Sequence, residues 1–294
     1  MRRTNAIVTA SHAPDFARCA ILCESIDRYV TGHSMHYLLV DNVDAPLFRR
    51  LEGPKRRVVT ETELLPWWLK RVPASLSPGG RRIWVAPRTL PLHGWHVQQI
   101  KRIAIARLVD DDGLLYCDSD TVFVKPFDVS AIWTGDDIRL FRATDGALSA
   151  LKDHAHWITH AGETLGIAPA ERTNHDYIAQ FVTWRRQTVI DMCDHMERLH
   201  GRHWVSVIGR SRRFSECMIY GAYVEQVLDG AGHAPTAETL CPMQWFDPAP
   251  TDEELAAVVR NLKPFQVGVG VQSFIAIEPE RFRALTLGTT PKAA

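Results

Sequence analysis

The stretch Leu114–Asp128, Leu-Leu-Tyr-Cys-Asp-Ser-Asp-Thr-Val-Phe-Val-Lys-Pro-Phe-Asp, limits the possible folds of this chain more than any other. A short apolar run, Leu114 to Cys117, reads as a buried strand. It ends in two carboxylates one residue apart, Asp118 and Asp120. A second apolar run, Thr121 to Val124, stops before Pro126. Acids held between two buried strands are costly to desolvate unless something compensates them. A hard divalent cation, Mg²⁺ or Mn²⁺, would do so, sharing its shell with substrate phosphates. The same Asp-Ser-Asp step also fits an Asx-type turn at a strand end. Its place after a hydrophobic strand favours the cation, because ligands of open α/β sheets sit off the carboxyl ends of strands.

The 294 residues suffice for one large α/β domain or two small ones. Lys and Arg balance Asp and Glu at 34 each, so no global field draws the chain to nucleic acid or acidic lipid. The basic clusters Lys55 to Arg57, Arg81-Arg82 and Arg210 to Arg213 are short and read as solvated surface. The six cysteines form no C-x-x-C pair, which argues against a zinc site. No secretory leader pattern opens the chain, and no apolar run is long enough to span a bilayer. The expectation is a soluble, reduced, cytoplasmic protein, with peripheral membrane docking left open.

In chain order, Ala6 to Ala10 is an apolar run that predicts a first strand. Pro14 is fit to open a helix, and Phe16 to Val30 carries apolar residues at helical spacing. Tyr37 to Val40 predicts a second strand closed by Asp41. Strand, helix and strand of these lengths make a βαβ unit, hence a parallel sheet. Asp41, at a strand end, is a candidate nucleotide contact or a turn residue. No glycine fingerprint follows the first strand, which disfavours NAD or FAD and leaves a mononucleotide or nucleotide diphosphate. Arg56 to Thr60 predicts a third strand. Residues 61–93, rich in Pro and Trp, read as irregular. Trp95 to Leu108 predicts a helix on which Trp95, Gln98 or Gln99, and Arg102 share a strip. A cation there suits a diphosphate; the strip also suits an ordinary helix surface.

In the second half, Asp145 to Leu165 contains His154, His156 and His160, and the last two, four apart, could bind one metal on a helix face. They lack the glutamate of a zinc-protease helix, so an acceptor-site or packing role is expected. Tyr177 to Leu199 predicts one long helix. Phe214-Ser215-Glu216 reads as a helix start whose acid either caps the helix or faces the cleft. An acid that faces a cleft can serve as a general base, and Glu216 and Asp176 are the candidates. Thr251 to Glu254 predicts a capped helix. Phe265 to Ile277 predicts a late strand.

Gly94-Trp95 with Gln98 to Arg102, then Leu114 to Asp120, then Val124 to Asp128, in this order, resemble nucleotide-sugar glycosyltransferases of the GT-A fold. Tyr177 to Gln180, Thr183 to Arg186 and Phe214 to Gly221 are similar to the bacterial DUF6492-type group. The resemblance covers about residues 5–245. It implies a GT-A-like (Rossmann-like) α/β fold with a mixed, mainly parallel sheet flanked by helices, as a single large domain over residues 1–284. About 1–130 would be the nucleotide-sugar half and about 131–284 the acceptor half, with 285–294 a flexible tail. It further implies Mn²⁺ or Mg²⁺ on Asp118 and Asp120, a basic donor contact at Arg102, and a nucleoside near Thr9 and Asp41. Trp95 and Gln99 join this donor-binding set. The partners would be a nucleotide-diphosphate sugar and a glycan, lipid or small-molecule acceptor. A third metal ligand is unassigned; His233 is the only histidine after His203. Two rival functions remain, a non-catalytic nucleotide- or sugar-binding protein and a sugar nucleotidyltransferase.

Overall fold

A computed structural model of the chain describes residues 3–77, 79, 81–144 and 153–288. Strand β1 (Asn5–Ala10) is buried along its whole length, as a central parallel strand covered on both faces must be. Helix α1 (Phe16–Tyr29) packs Leu22 and Ile26 against Ile7, and Cys19 and Cys23 against the next strand. β2 (His36–Val40) and β3 (Arg56–Thr60) follow in parallel register, Ile7 opposite His36 and Leu38 opposite Val58.

Residues 61–93 hold a helical turn at Glu61–Leu64 and a small antiparallel sheet of β4 (Lys70–Arg71), β5 (Ile83–Val85) and β6 (Leu92–His93). Pro78 and Gly80 of this segment lie outside the described residues. Trp84 roots the sheet: it is buried, and its indole N–H donates to Glu61 at 2.7 Å. Helix α2 (Gly94–Ala104) covers the sheet face opposite α1, where Val97, Ile100 and Ile103 meet Ala6, Val8 and Ala10. The helix expected to reach Leu108 tightens into a 3-10 turn over Ile105–Arg107.

β7 (Gly113–Tyr116) pairs with β1 on the side away from β2. The direction of winding therefore reverses between β1 and β7, the switch point at which open α/β sheets bind ligands. Asp118 and Asp120 follow directly, in the turn to β8 (Thr121–Phe123). β9 (Asp137–Phe141) and helix α3 (His154–Leu165), which carries His154, His156 and His160, open the second half; residues 145–152 lie outside the described residues.

The helix expected over Tyr177 to Leu199 is two elements. β10 (Val182–Arg185) runs antiparallel to β7 at the edge of the main sheet, and helix α4 (Arg186–His200) begins only after it. Tertiary packing outweighs the helical spacing here. Trp184 lies between the rings of Tyr116 and Tyr220, with centroids 4.5 and 4.8 Å away. The main sheet thus reads β10-β7-β1-β2-β3, parallel except at β10, which is the mixed, mainly parallel sheet expected.

Helix α5 (Glu216–Ala222) starts on Ser215, whose hydroxyl accepts from the Met218 N–H. β11 (His233–Thr236) pairs with β9, and β12 (Met243–Gln244) precedes helix α6 (Asp252–Arg260), which carries the expected Thr251/Glu254 capping box. The late strand is β13 (Gly268–Val271), paired with both β8 and β12. Helix α7 (Pro279–Leu287) runs three residues into the stretch expected to be a tail, because Leu287 is buried. Residues 289–294 of that stretch lie outside the described residues. Among the described residues no helix is long and apolar enough to cross a membrane.

Candidate active site

A cavity of about 1030 Å³ opens over the carboxyl ends of β1 and β7. Ser11 and His12 enter it from β1, Asp41 from β2, and Asp118 to Asp120 from β7. The start of α2, residues 178–180, the start of α5 and the loop 272–274 form its walls.

Arg102 ties these parts together. Its guanidinium Nη1 donates to Asp118 Oδ1 at 3.3 Å and meets Glu216 Oε1 at 3.0 Å. The same guanidinium lies over the rings of Tyr116 and Trp184, 5.0 and 5.9 Å from their centroids. Burial works against its charge, but Glu216 and Asp118 outweigh burial and hold its pKa above the ordinary value. Glu216 is itself buried, which raises its pKa despite the Arg102 charge. The cleft-facing reading of Glu216 is therefore the geometric one, and Ser215 does the capping.

Asp120 is held from the other side. Its Oδ2 accepts from the Ser273 N–H at 2.9 Å, while Oδ1 is buried with no hydrogen-bond partner. Burial, then the nearby Asp118, pushes its pKa up to about 7. Asp118 receives Arg102 on one oxygen and the Gln180 amide, at 3.0 Å, on the other. Two hard carboxylates, one with an unmet oxygen, fit a small divalent cation. The described residues offer no group of three His, Cys, Asp or Glu side chains for a metal. The rest of its shell would come from water and ligand.

The strip expected on α2 does face the cavity. Trp95 is 51 % exposed at its rim and lies 6.4 Å, ring to ring, from Trp157. Gln98 donates to the Ala10 carbonyl at 3.2 Å, and the Gln99 side-chain oxygen accepts from the Glu216 N–H at 3.0 Å. Asp41 lines the cavity, with its carboxylate engaged by Lys101 at 2.9 Å and Arg82 at 2.8 Å. Those cations outweigh burial and hold its pKa below the ordinary value.

Two expected site residues stand elsewhere. Thr9 is fully buried one residue inside the end of β1, and its hydroxyl pairs with His36 Nε2 at 3.0 Å. Ser11, just past the strand end, is the hydroxyl that reaches the cavity. Asp176 is not among the cavity-lining residues; its Oδ1 accepts from the Ile178 N–H at 2.7 Å and shapes the loop leading to Gln180. His233 lies between the Tyr220 hydroxyl and the Ala231 carbonyl, also outside the cavity. His160 packs on Phe214 and bonds the Ile208 carbonyl, the packing role expected of it.

Two contributors escape sequence reading. Gln180 reaches Asp118 because the next residue, Phe181, takes the left-handed backbone (φ 59°) while its ring stacks on Phe123 at 4.2 Å. A non-glycine residue adopts this conformation at a cost, and such strain gathers at functional sites. Ser273 comes from beyond β13, 153 positions after Asp120. Neither belongs to a local pattern, although Gln180 sits in the Tyr177 to Gln180 run quoted above.

Among the described residues, eight buried side-chain polar atoms have no hydrogen-bond partner, and four of them belong to residues that line this one cavity. They are Ser11 Oγ, Gln99 Nε2, Arg102 Nε and Asp120 Oδ1. An unmet buried donor or acceptor costs about 1–3 kcal/mol, so their convergence marks a place made for a polar ligand.

Residues 5–258 match DUF6492, a family of unknown function, and the chain belongs to that family. No curated protein sequence matches it. Among solved structures it is similar to the galactosyltransferase LgtC in complex with donor and acceptor sugar analogs, at 14 % identity, 98 % coverage of each chain and a TM-score of 0.45. It is also similar to an active-site mutant of LgtC, at 14 % identity, 98 % coverage of each chain and a TM-score of 0.43.

Proposed function

We propose that the chain is a GT-A-type glycosyltransferase that moves a sugar from a nucleotide-diphosphate sugar to an acceptor hydroxyl. The observation that carries this reading is the switch-point cavity. Two carboxylates, a buried arginine and four unpartnered polar atoms converge there. The order of the sequence motifs supports the same class.

In this reading Asp120 and Asp118 hold Mn²⁺ or Mg²⁺. The ion, when bound, neutralises charge on the departing diphosphate. Arg102, itself buried, adds a fixed positive charge beside Asp118, where that charge would develop. Ser11 and Gln99 supply the uncharged hydrogen bonds that orient the donor. Gln180 fixes the rotamer of Asp118, and the Ser273 N–H fixes that of Asp120. Glu216 holds Arg102 in place and is the acid nearest to an acceptor entering along α5. Asp41, already neutralised by Lys101 and Arg82, is a rigid acceptor for a ribose or base N–H or O–H at the end of β2.

The test is thermal melting with UDP- and GDP-sugars, with and without Mn²⁺, on wild type and Asp120→Ala. A ligand that binds only the folded chain raises its melting point by mass action. The expected result is a nucleotide-specific rise that needs Mn²⁺ and vanishes in the variant. No rise with any donor would refute the donor site. Formation of pyrophosphate from a nucleoside triphosphate and a sugar phosphate would instead identify a nucleotidyltransferase.

A further inference from the structure

The neutral total hides a strong segregation of charge. Residues 64–109 contain eight Lys or Arg and no Asp or Glu; Arg71, Arg82, Lys101, Arg102 and Arg107 pair with acids from elsewhere in the chain, and Lys70, Arg81 and Arg88 are the cations of this run that face solvent outside those pairs. Residues 198–215 contain five Lys or Arg and again no acid. The fold joins these two runs. The Leu90 N–H donates to the Gly209 carbonyl at 2.9 Å, and His96 Nε2 bonds the Arg212 carbonyl at 2.7 Å. The Arg212 guanidinium also approaches His93 at 3.4 Å. Lys70, Arg81 and Arg88 on one run, with Arg210, Arg212 and Arg213 on the other, are all exposed.

Apolar side chains stand among these cations. Trp67 is 80 % exposed and Leu76 73 % exposed, with Leu90 and Val85 also open to solvent. On the small sheet, Val85 lies directly opposite Lys70, so both stand on one face, while Trp84 and Leu92 root the other. Single exposed apolar residues are ordinary. A tryptophan and three aliphatic residues within one acid-free basic segment are a different case. A nucleic-acid surface needs the cations but not the leucines. A protein surface of opposite charge would not call for a fully presented tryptophan. Cations with interleaved Trp and Leu match the interface of an anionic bilayer, where the rings enter the headgroup layer and the cations meet lipid phosphates.

We propose that this face docks the protein on the surface of a membrane rich in anionic lipid. The face runs into the cavity, because Arg81, His93 and Trp95 line the cavity mouth. If the transferase reading above holds, a docked molecule presents its acceptor side to the bilayer, and the acceptor is an amphiphile whose polar head rises from the lipid surface. The docking itself does not depend on that reading.

The experiment is co-sedimentation of the full chain with phosphatidylglycerol/phosphatidylcholine vesicles and with phosphatidylcholine alone, at low and high salt. Heparin-agarose serves as a soluble-polyanion control. Binding is expected only to the anionic vesicles and should weaken steeply with salt. Lys70→Glu/Arg88→Glu/Arg210→Glu should reduce partitioning by about a hundred-fold, at about five-fold per cation removed. Trp67→Ser should reduce it by about ten-fold, with the melting point unchanged. Arg260→Glu, on α6, should bind as wild type. The proposal is overturned by equal binding to neutral vesicles, by no binding to either kind, by a triple variant that binds normally, or by retention on heparin without vesicle binding. Donor-induced melting shifts should survive in the triple variant. Their absence from wild type would sink the transferase reading and leave the docking result standing.

Discussion

Replacing Arg102 by methionine separates the electrostatic role of this residue from its packing role. Methionine keeps most of the apolar contact with Tyr116 and Trp184 but leaves Glu216, only 4 % exposed, without its cation. A carboxylate in that position is driven to take up a proton. From the ordinary value of 4.5, protonating it at pH 7 takes about 3 kcal/mol, near the lower end of the ~3–5 kcal/mol typical of a broken buried pair. The sign with pH follows. In the variant the folded pKa of Glu216 rises further above its unfolded value, so stability is retained below about 4.5 and lost as pH rises, at about 1.4 kcal/mol per pH unit. Urea unfolding of wild type, Arg102→Met, Glu216→Gln and the double variant at pH 5 and pH 7 measures this. Because burial already raises the Glu216 pKa in wild type, the expected deficit of Arg102→Met is at most about 3 kcal/mol at pH 7 and under about 1 kcal/mol at pH 5, and Glu216→Gln should rescue much of it. A deficit that is the same at both pH values, or additive single-variant effects, would refute the account of Arg102 as the partner of a buried charge.

Further expectations concern the supports of the site. Burial lowers the His160 pKa to about 4, below its ordinary 6.5, so the fold favours the neutral ring. Wild type should lose up to about 3 kcal/mol as pH falls from 6.5 to 4, and His160→Gln should show a flatter urea midpoint over that range. A Cβ on Gly221 would meet the Tyr177 ring at 2.0–2.4 Å, and that ring is anchored by its hydroxyl on Glu225. Gly221→Ala should therefore destabilise by about 1–3 kcal/mol, read as a fall in melting temperature, and should weaken donor binding through the loop that carries Gln180. Gln180→Leu frees Asp118 Oδ2; calorimetry should find nucleotide-sugar affinity reduced about ten-fold while stability changes by no more than about 1 kcal/mol.

How much of this was readable in the chain depended on how local each signal was. The βαβ opening, the turn of Asp118 and Asp120 after β7, and the strip of Trp95, Gln99 and Arg102 on α2 are fixed by residues a few positions apart. They stand where the spacing put them. The hydrophobic residues of β10 satisfy a helical template, and the rings of Tyr116 and Tyr220, distant in sequence, make the strand preferable. The resemblance implies a nucleoside near Thr9, but the alternation of β1 turns its hydroxyl to His36 instead. Asp176 carried an acid near a histidine, but its carboxylate is spent on a local turn. Gln180 and Ser273 join the site from distances of 62 and 153 positions, which no periodicity encodes. Each short basic cluster reads by itself as surface; only the fold joins Arg81 and Arg88 to Arg210 to Arg213, through the contact of Leu90 with Gly209.

The antiparallel edge strand β10 bears on modularity. Its four residues satisfy the outer side of β7, the strand that delivers Asp118 and Asp120. A fragment ending near residue 130 would leave β7 as an open, wholly apolar border, the kind of edge that recruits strands from other molecules. The first half, which holds the donor in the proposed reading, therefore cannot be transplanted as a cassette. Chimeras within this family would have to cut after Arg185, carrying the border strand with the sheet it seals.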